Sequence, residues 1–288
     1  MILKEFYIVS ADKVQFFTRC WEPDSPPKAM VFLFHGLADH SGRFEKVAEN
    51  FTAAGFLFFA ADLRGNGKTE GPRGHFDSYD QIMLDTDGLL EAAHTKYPDI
   101  PVILYGQSMG GNLALNYSLR RNPEIFAVIA SSPWLRLTNP PNAIVRTLGN
   151  ALGKIAPALI IPNGLNADDL SHSKEISRSY REDPLVHGKI SLNTFKLITE
   201  SGEWAIRNSN KHQKPLLLMH GTSDPITSIE ASQQFAKSVK CEFTFKTWDR
   251  LKHELHNEPQ SEEVINFMIE WLNQKLFNQS SSISSHET

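Results

Sequence analysis

Short apolar runs alternate with segments of helical periodicity along most of this chain. Ala29–Phe34 is an uninterrupted apolar run, as expected of a strand buried on both faces of a sheet. Predicted helices and strands then follow in turn: Arg43–Ala54 (helix), Phe56–Ala61 (strand), Tyr79–Lys96 (helix), Val102–Tyr105 (strand), Met109–Arg121 (helix) and Phe126–Ala130 (strand). This alternation predicts an α/β protein with a mostly parallel, twisted sheet and helices on both faces.

The alternation stops between about Trp134 and Asn210, a stretch of prolines, polar turns and one apolar amphipathic segment. It resumes with a strand at Pro215–Met219, and Leu3–Ser10 with Val14–Trp21 predict an antiparallel hairpin before it begins. The simplest organisation is a core domain in two pieces, residues 1–133 and 211–278, with an insertion at 134–210. The Ser-rich end, residues 279–288, is predicted to be a frayed tail.

Charge and cysteine content exclude several classes of protein. The chain has 29 Lys+Arg against 33 Asp+Glu, a net charge of −4, which gives no basic footprint for nucleic acid. Two cysteines, Cys20 and Cys241, are too few for a disulfide framework. The N-terminus has no signal-peptide pattern, and no apolar stretch approaches the roughly 20 residues of a membrane helix. We therefore expect a cytoplasmic location, with peripheral membrane contact open and the oligomeric state unpredicted.

The predicted strand Val102–Tyr105 runs directly into Gly106–Gly111, of sequence GQSMGG, and then into a helix. This is a G-x-S-x-G pattern in the context that makes its serine a nucleophile on a sharp turn. Glycines on both sides leave room for a strained backbone at Ser108, and the helix N-terminus supplies positive potential. The alternative is a glycine-rich helix start with a capping serine.

A serine alone is weakly nucleophilic and needs a base that an acid orients. In sheets of this type both residues follow the serine, on loops after later strands. Asp224 comes after the strand Pro215–Met219, at the edge where ligands bind in open α/β sheets. His253 and His256 follow the next strand, and their spacing does not decide which is the base. Asp62, after an earlier strand, competes for the role of acid.

Stabilising the oxyanion of such a reaction takes two backbone N–H groups. One is that of Met109, which follows the serine. The second is expected from the loop after the first buried strand, His35–His40, where the Leu37 N–H is the natural donor. We interpret His35 as a structural residue that shapes this loop.

From about Leu3 to Leu276 the chain resembles the monoglyceride lipase and lysophospholipase branch of the serine α/β-hydrolases, which is sometimes grouped with serine aminopeptidase-like hydrolases. The resemblance rests on five blocks, of which the first is the most discriminating: His35–Phe44 (HGLADHSGRF), Asp62–Gly67 with Glu70-Gly71, Gly106–Gly111, His220–Asp224 (HGTSD) and His253–Glu258 (HELHNE). It implies an α/β-hydrolase fold with a mainly helical cap between the two halves of the sheet.

The resemblance also implies roles for individual residues. The first histidine of the family's H-x-L-H-x-E pattern is the base, which implies a triad of Ser108, His253 and Asp224 and leaves His256 structural. It supports Leu37 and Met109 as oxyanion donors. We interpret Arg43 and Asp39 as partners that fix the loop.

An apolar helical stripe lies within the predicted cap, formed by Ile144, Val145, Leu148, Leu152 and Ile155. One interpretation is that the stripe packs onto the core domain. The other is that it lines an acyl-chain tunnel, with Ile144, Leu148 and Leu152 as substrate-binding residues, or makes transient contact with a membrane surface.

The expected reaction is hydrolysis of a single-chain lipid ester, monoacylglycerol or lysophospholipid, through an acyl-enzyme. It requires no metal or organic cofactor, and no H-E-x-x-H spacing is present. Three alternatives stay open. They are a short-chain carboxylesterase, an aminopeptidase-like hydrolase using a cap carboxylate (Glu175, Glu182 or Asp183), and a non-catalytic ligand-binding relative.

Overall fold

The computed structural model describes residues 1–284. Its ten strands are β1 (Ile2–Val9), β2 (Gln15–Glu22), β3 (Met30–Phe34), β4 (Leu57–Ala61), β5 (Val102–Gln107), β6 (Ala127–Ser131), β7 (Ile160–Pro162), β8 (Lys189–Ser191), β9 (Leu216–Gly221) and β10 (Phe243–Trp248). Its helices are α1 (Glu45–Ala53), α2 (Tyr79–Lys96), α3 (Met109–Arg121), α4 (Ala143–Ile155), α5 (Lys174–Glu182), α6 (Leu192–Asn208), α7 (Ile229–Ala236) and α8 (Ser261–Ser284).

Eight strands form one sheet in the order β1-β2-β4-β3-β5-β6-β9-β10. The β1–β2 and β2–β4 pairs are antiparallel, and every pair from β4 to β10 is parallel. The mostly parallel sheet and the N-terminal hairpin predicted from the sequence are therefore confirmed. In parallel sheets the carboxyl ends of the strands share one edge, so the loops after β3, β5, β9 and β10 emerge on the same side.

Both faces of the sheet are buried because side chains alternate along each strand. On β3, Phe32 and Phe34 face a core cluster that includes residues of α2, α3, α6 and α7. Val31 and Leu33 face a second cluster, which includes residues of α1 and α8. Helices thus cover both faces, which explains why the inner strands are continuous apolar runs.

Residues 134–210 contribute no strand to the eight-stranded sheet. They contain α4, α5 and α6 and a small antiparallel pair, β7 with β8. The sequence did not predict this pair because Ile160–Pro162 is exposed and carries no buried strand signal. At the C-terminus α8 continues to Ser284, through residues predicted as a frayed tail. The rest of that prediction, 285–288, lies outside the described residues.

The inserted segment is bonded to two loops at the carboxyl edge of the sheet. The loop after β3 receives a hydrogen bond from His187 N–H to Ala38 O (3.3 Å), and its His40 Nε2 lies 2.9 Å from Asp183 Oδ2. In the loop after β10, Glu254 N–H donates to Leu170 O at 2.8 Å. The insertion therefore holds both loops from the same side.

Candidate active site

Ser108 stands at the turn between β5 and α3 with φ 57° and ψ −119°, a strained conformation for a residue with a side chain. The flanking glycines make this turn sterically possible. A Cβ atom on Gly110 would lie 1.9 Å from the Phe34 carbonyl oxygen, and one on Gly106 would lie 2.1 Å from the Gly110 carbonyl oxygen. The pattern that predicted a nucleophile elbow thus corresponds to a backbone that only glycine permits at both positions.

Asp224, in the loop after β9, is held by its neighbours. Its Oδ1 accepts hydrogen bonds from the backbone N–H groups of Ile226 (2.8 Å) and Thr227 (3.0 Å), and its Oδ2 accepts one from the Thr227 hydroxyl (2.8 Å). The same Oδ2 lies 2.8 Å from Nδ1 of His253, in the loop after β10. The structure therefore brings the predicted acid and one of the two candidate bases together.

The charges of this buried pair stabilise each other. Burial acts to lower the pKa of His253, but the Asp224 carboxylate outweighs it, so the pKa is raised above its ordinary value. Burial acts to raise the pKa of Asp224, yet His253 and His220 hold it well below the ordinary range. Asp224 therefore remains ionised at neutral pH and favours the protonated form of His253.

His220, at the end of β9, is a second partner of the acid. Its Nε2 lies 3.2 Å from Asp224 Oδ2 and 3.0 Å from Thr227 O, and its Nδ1 lies 2.9 Å from the Ser232 hydroxyl. The sequence predicts no role for this histidine. Its only signal was its place in the block His220–Asp224.

The competing candidates lie elsewhere. His256 stacks on Phe44, with ring centroids 4.5 Å apart and 16° between the planes. Asp62 accepts hydrogen bonds from the N–H groups of Ser41 and Lys68, both at 2.8 Å, and so fixes two loops. Within residues 1–284, neither makes a hydrogen bond to His253 or to Asp224.

Ser108 Oγ makes no hydrogen bond to His253 in the part of the chain that the structure describes. Hydrogen bonds between catalytic groups are often long in the absence of substrate and shorten when it binds. The serine is buried at the same edge of the sheet as the Asp224–His253 pair.

The loop after β3 approaches the serine closely. A Cβ atom on Gly36 would lie 3.6 Å from Ser108 Cβ. Leu37 is the next residue in the chain, so its backbone N–H lies on the part of the loop that is near the serine. Leu37 N–H donates to no acceptor among residues 1–284, and Met109, as the first residue of α3, has no acceptor within its helix. His35 fixes the loop, because its Nε2 accepts from Leu63 N–H at 2.8 Å.

The predicted substrate-binding residues of the stripe point to solvent. The exposed fractions are 72% for Ile144, 64% for Leu148 and 45% for Leu152. An apolar cavity of about 110 Å³ lies beside the same helix, but residues other than these line it: Pro141, Val145, Arg146, Gly149, Ile161, Leu192 and Phe195. Phe195 packs edge to face on the ring of Trp134, and the backbone N–H of Trp134 donates to Ser108 O at 2.9 Å.

The fold and these loops define an α/β-hydrolase. The family described as serine aminopeptidase, S33, matches residues 25–260, and the chain belongs to this family. A monoacylglycerol lipase from Paleococcus ferrophilus has a similar solved structure, with a TM-score of 0.83 and 32% identity over 90% of this chain and 99% of that one. This likeness confirms the family predicted from the five sequence blocks.

Curated relatives are similar over most of the chain. A Mycolicibacterium smegmatis protein named monoacylglycerol lipase is 32% identical over 88% of this chain and 90% of its own length. The phospholipase YtpA of Bacillus subtilis is 30% identical over 85% of this chain and 94% of its own. An uncharacterized abhydrolase domain-containing protein of Dictyostelium discoideum is 35% identical over 94% of this chain, which spans only 29% of that protein.

Proposed function

We propose that this chain is a serine hydrolase that cleaves the carboxylic ester of a single-chain lipid, with monoacylglycerol as the first candidate. The observation that carries the proposal is the buried Asp224–His253 hydrogen bond at the same edge of the sheet as the strained turn at Ser108. Membership of the α/β-hydrolase family and the relatives named monoacylglycerol lipase support the lipid ester as substrate.

In the proposed reaction His253 Nε2 takes the proton of the Ser108 hydroxyl as its oxygen attacks the ester carbonyl. Asp224 orients the ring through Nδ1 and stabilises the imidazolium that forms. The N–H groups of Leu37 and Met109 bind the oxyanion; one such donor is worth about 2.7–4 kcal/mol of transition-state stabilisation. His253 then protonates the leaving alcohol and activates water, which releases the fatty acid from Ser108.

Residues 134–210 are the proposed cap, and α4 is its proposed contact with the membrane. The helix exposes Ile144, Leu148 and Ile155, the last to 85%. Ala143–Ile155 contains Arg146 and Lys154 and no acidic residue. An exposed apolar face with cationic side chains is typical of helices that lie in the membrane interface. Among residues 1–284, none of the helices combines the length and the apolar composition of a membrane span.

Lysophospholipid is the second candidate substrate, because one relative at 30% identity is named a phospholipase. It also carries one acyl chain and one ester, so the same chemistry serves both lipids. The two differ in the head group, which is neutral and small in monoacylglycerol and zwitterionic in lysophosphatidylcholine.

Fatty-acid release from monoacylglycerol and from lysophosphatidylcholine, measured side by side with Ser108→Ala as the control, tests the proposal. We expect serine-dependent release from monoacylglycerol. Faster release from the lysolipid would make the chain a lysophospholipase. Cleavage of a short activated ester alone would retain the serine chemistry and contradict the lipid substrate, whereas equal activity of Ser108→Ala would contradict the serine itself.

A further inference from the structure

A buried ion pair joins the loop after β3 to the loop after β10. Arg43 Nη1 donates to Glu254 Oε1 at 2.8 Å, and Nη2 donates to Oε2 at 2.7 Å, so the pair is bidentate. The side chains are 8% and 3% exposed. Asp39 Oδ2 lies 3.1 Å from the same guanidinium, and the Tyr180 ring packs on it at 4.8 Å from the centroid.

The two ends of this pair are attached to the two parts of the proposed catalytic machinery. Arg43 lies six residues after Leu37, on the loop that supplies the proposed oxyanion donor. Glu254 directly follows His253, the proposed base. Two side chains 211 positions apart in the sequence thus form a direct bond between the donor loop and the base loop.

Stability alone does not account for the pair. Removing an arginine and a carboxylate from water costs much of what their attraction returns, and apolar residues of similar volume often serve a core as well or better. The pair fixes the relative position of the two loops. A planar guanidinium binds a carboxylate through two parallel hydrogen bonds, which set both the distance and the orientation between the two groups. Asn257 Nδ2 donates to Glu254 Oε2 at 2.7 Å and fixes the carboxylate further.

We infer that Arg43 and Glu254 are positioning residues, whose ion pair fixes the proposed oxyanion donor relative to the proposed base. This inference rests on the proposed function. A spacing error of about 1 Å between groups that act in one transition state can cost on the order of 100-fold in rate. The pair therefore acts on kcat, while substrate binding is left to other residues.

The test compares Glu254→Gln, Glu254→Asp and Arg43→Lys with the wild-type enzyme. Glutamine keeps the size of the side chain and removes its charge, whereas aspartate keeps the charge and shortens the reach. Lysine keeps the charge of Arg43 and loses the parallel pair of bonds. The control is Asp85→Asn, which breaks another bidentate pair, the partly buried Arg64–Asp85 (2.8 and 2.6 Å), outside the site.

Each variant is measured for kcat and KM on a short activated ester, for the pH dependence of kcat/KM, and for its thermal midpoint. The titratable groups around the base are Asp224, His220, His256 and Glu254. Burial acts to lower the pKa of His253, Asp224 raises it most, and the Glu254 carboxylate raises it further. Removing that charge lowers the pH of the acid limb, whereas a purely structural change leaves it in place.

We expect Glu254→Gln to lower kcat at least tenfold with KM within twofold, and to shift the acid limb to lower pH. Glu254→Asp and Arg43→Lys lower kcat without shifting the limb, and Asp85→Asn changes the thermal midpoint alone. If Glu254→Gln does not fold, the kcat and KM of the other two decide. Any other pattern assigns the pair a structural role and overturns the inference. Ser108→Ala is assayed in parallel. If this variant retains activity, the proposed serine mechanism is wrong; if it is inactive, the other variants test the positioning role alone.

Discussion

The ring of His256 stacks on that of Phe44, with 4.5 Å between centroids, and so belongs to the packing behind the loop after β3. His253, three residues earlier, has its Nδ1 atom 2.8 Å from the Asp224 carboxylate. Spacing along the sequence leaves the two histidines as equal candidates, and the family resemblance implies His253 as the base. In the structure the two rings occupy different environments.

This difference predicts opposite results for the two histidines. His253→Ala should lower kcat by about 1,000-fold or more, as loss of a triad base does. His256→Phe keeps an aromatic ring on Phe44 and should keep kcat within about tenfold of the wild-type value. The kcat values of both variants and the wild type are compared by steady-state kinetics on monoacylglycerol. Circular dichroism verifies that each variant is folded. A larger loss in His256→Phe than in His253→Ala would reverse the assignment.

The pH dependence follows from the raised pKa of His253. A base acts in its neutral form, so kcat/KM should fall as the pH drops through a value above 6.5, the ordinary pKa of histidine. Asp224→Asn removes the carboxylate that raises this pKa, and should shift the acid limb to lower pH while lowering kcat. Asp62→Asn serves as the control, since Asp62 bonds to Ser41 and Lys68. An acid limb at the same pH in Asp224→Asn and in the wild-type enzyme would contradict the proposed role.

His256 should also make stability depend on pH. Burial lowers its pKa to about 4, whereas in the unfolded chain it has the ordinary value near 6.5. Between these values the unfolded state binds the extra proton, so the free energy of unfolding falls as the pH falls, by up to about 1.4 kcal/mol per pH unit. Urea unfolding from pH 6.5 to 4.5 should therefore show a shallower slope for His256→Phe than for the wild type. Exposed His94→Gln is the control, and equal slopes in all three would exclude this contribution.

Substitution of alanine for two helical glycines should change the stability of the protein in opposite directions. Gly110→Ala places a Cβ atom 1.9 Å from a backbone oxygen and should destabilise the fold by about 3 kcal/mol or more. Apart from its two chain neighbours and the backbone of its own helix, a methyl group added at Gly88 of α2 would meet no atom within 4 Å among residues 1–284, so Gly88→Ala should stabilise by about 0.5–1 kcal/mol. Thermal unfolding of both variants measures these changes. A Gly110→Ala protein as stable as the wild type would contradict the close approach of Gly110 to the backbone oxygen of Phe34.

The exposed face of α4 gives a prediction about membranes. The double variant Ile144→Ser and Leu148→Ser should lower cosedimentation with anionic phospholipid vesicles and the rate on vesicle-bound monoacylglycerol. Its rate on a short soluble ester should equal that of the wild type, because both side chains are exposed. Unchanged vesicle binding would remove the proposed membrane contact, and an equal loss on the soluble ester would indicate damage to the site.

The sequence predicted those parts of the molecule whose signals are local. The buried strands are continuous apolar runs, and the elbow at Ser108 needs only a strand, two glycines and a helix in order. The loop position of Asp224 follows from the strand before it.

The sequence did not predict contacts between distant parts of the chain. His256 packs on Phe44 and His253 bonds to Asp224, and both partners lie elsewhere in the sequence. The Arg43–Glu254 pair joins residues 211 positions apart. The periodicity of α4 predicted an apolar stripe and left open which way it points, since a stripe facing a core and one facing a membrane have the same spacing.

The most direct test of the proposed mechanism is to trap the acyl-enzyme. The protein is mixed with a medium-chain activated ester, quenched in acid within milliseconds, digested and examined by mass spectrometry. The mechanism predicts one acyl group on the peptide that contains Ser108, and none in Ser108→Ala. An acyl group on another residue, or equal turnover by Ser108→Ala, would contradict it.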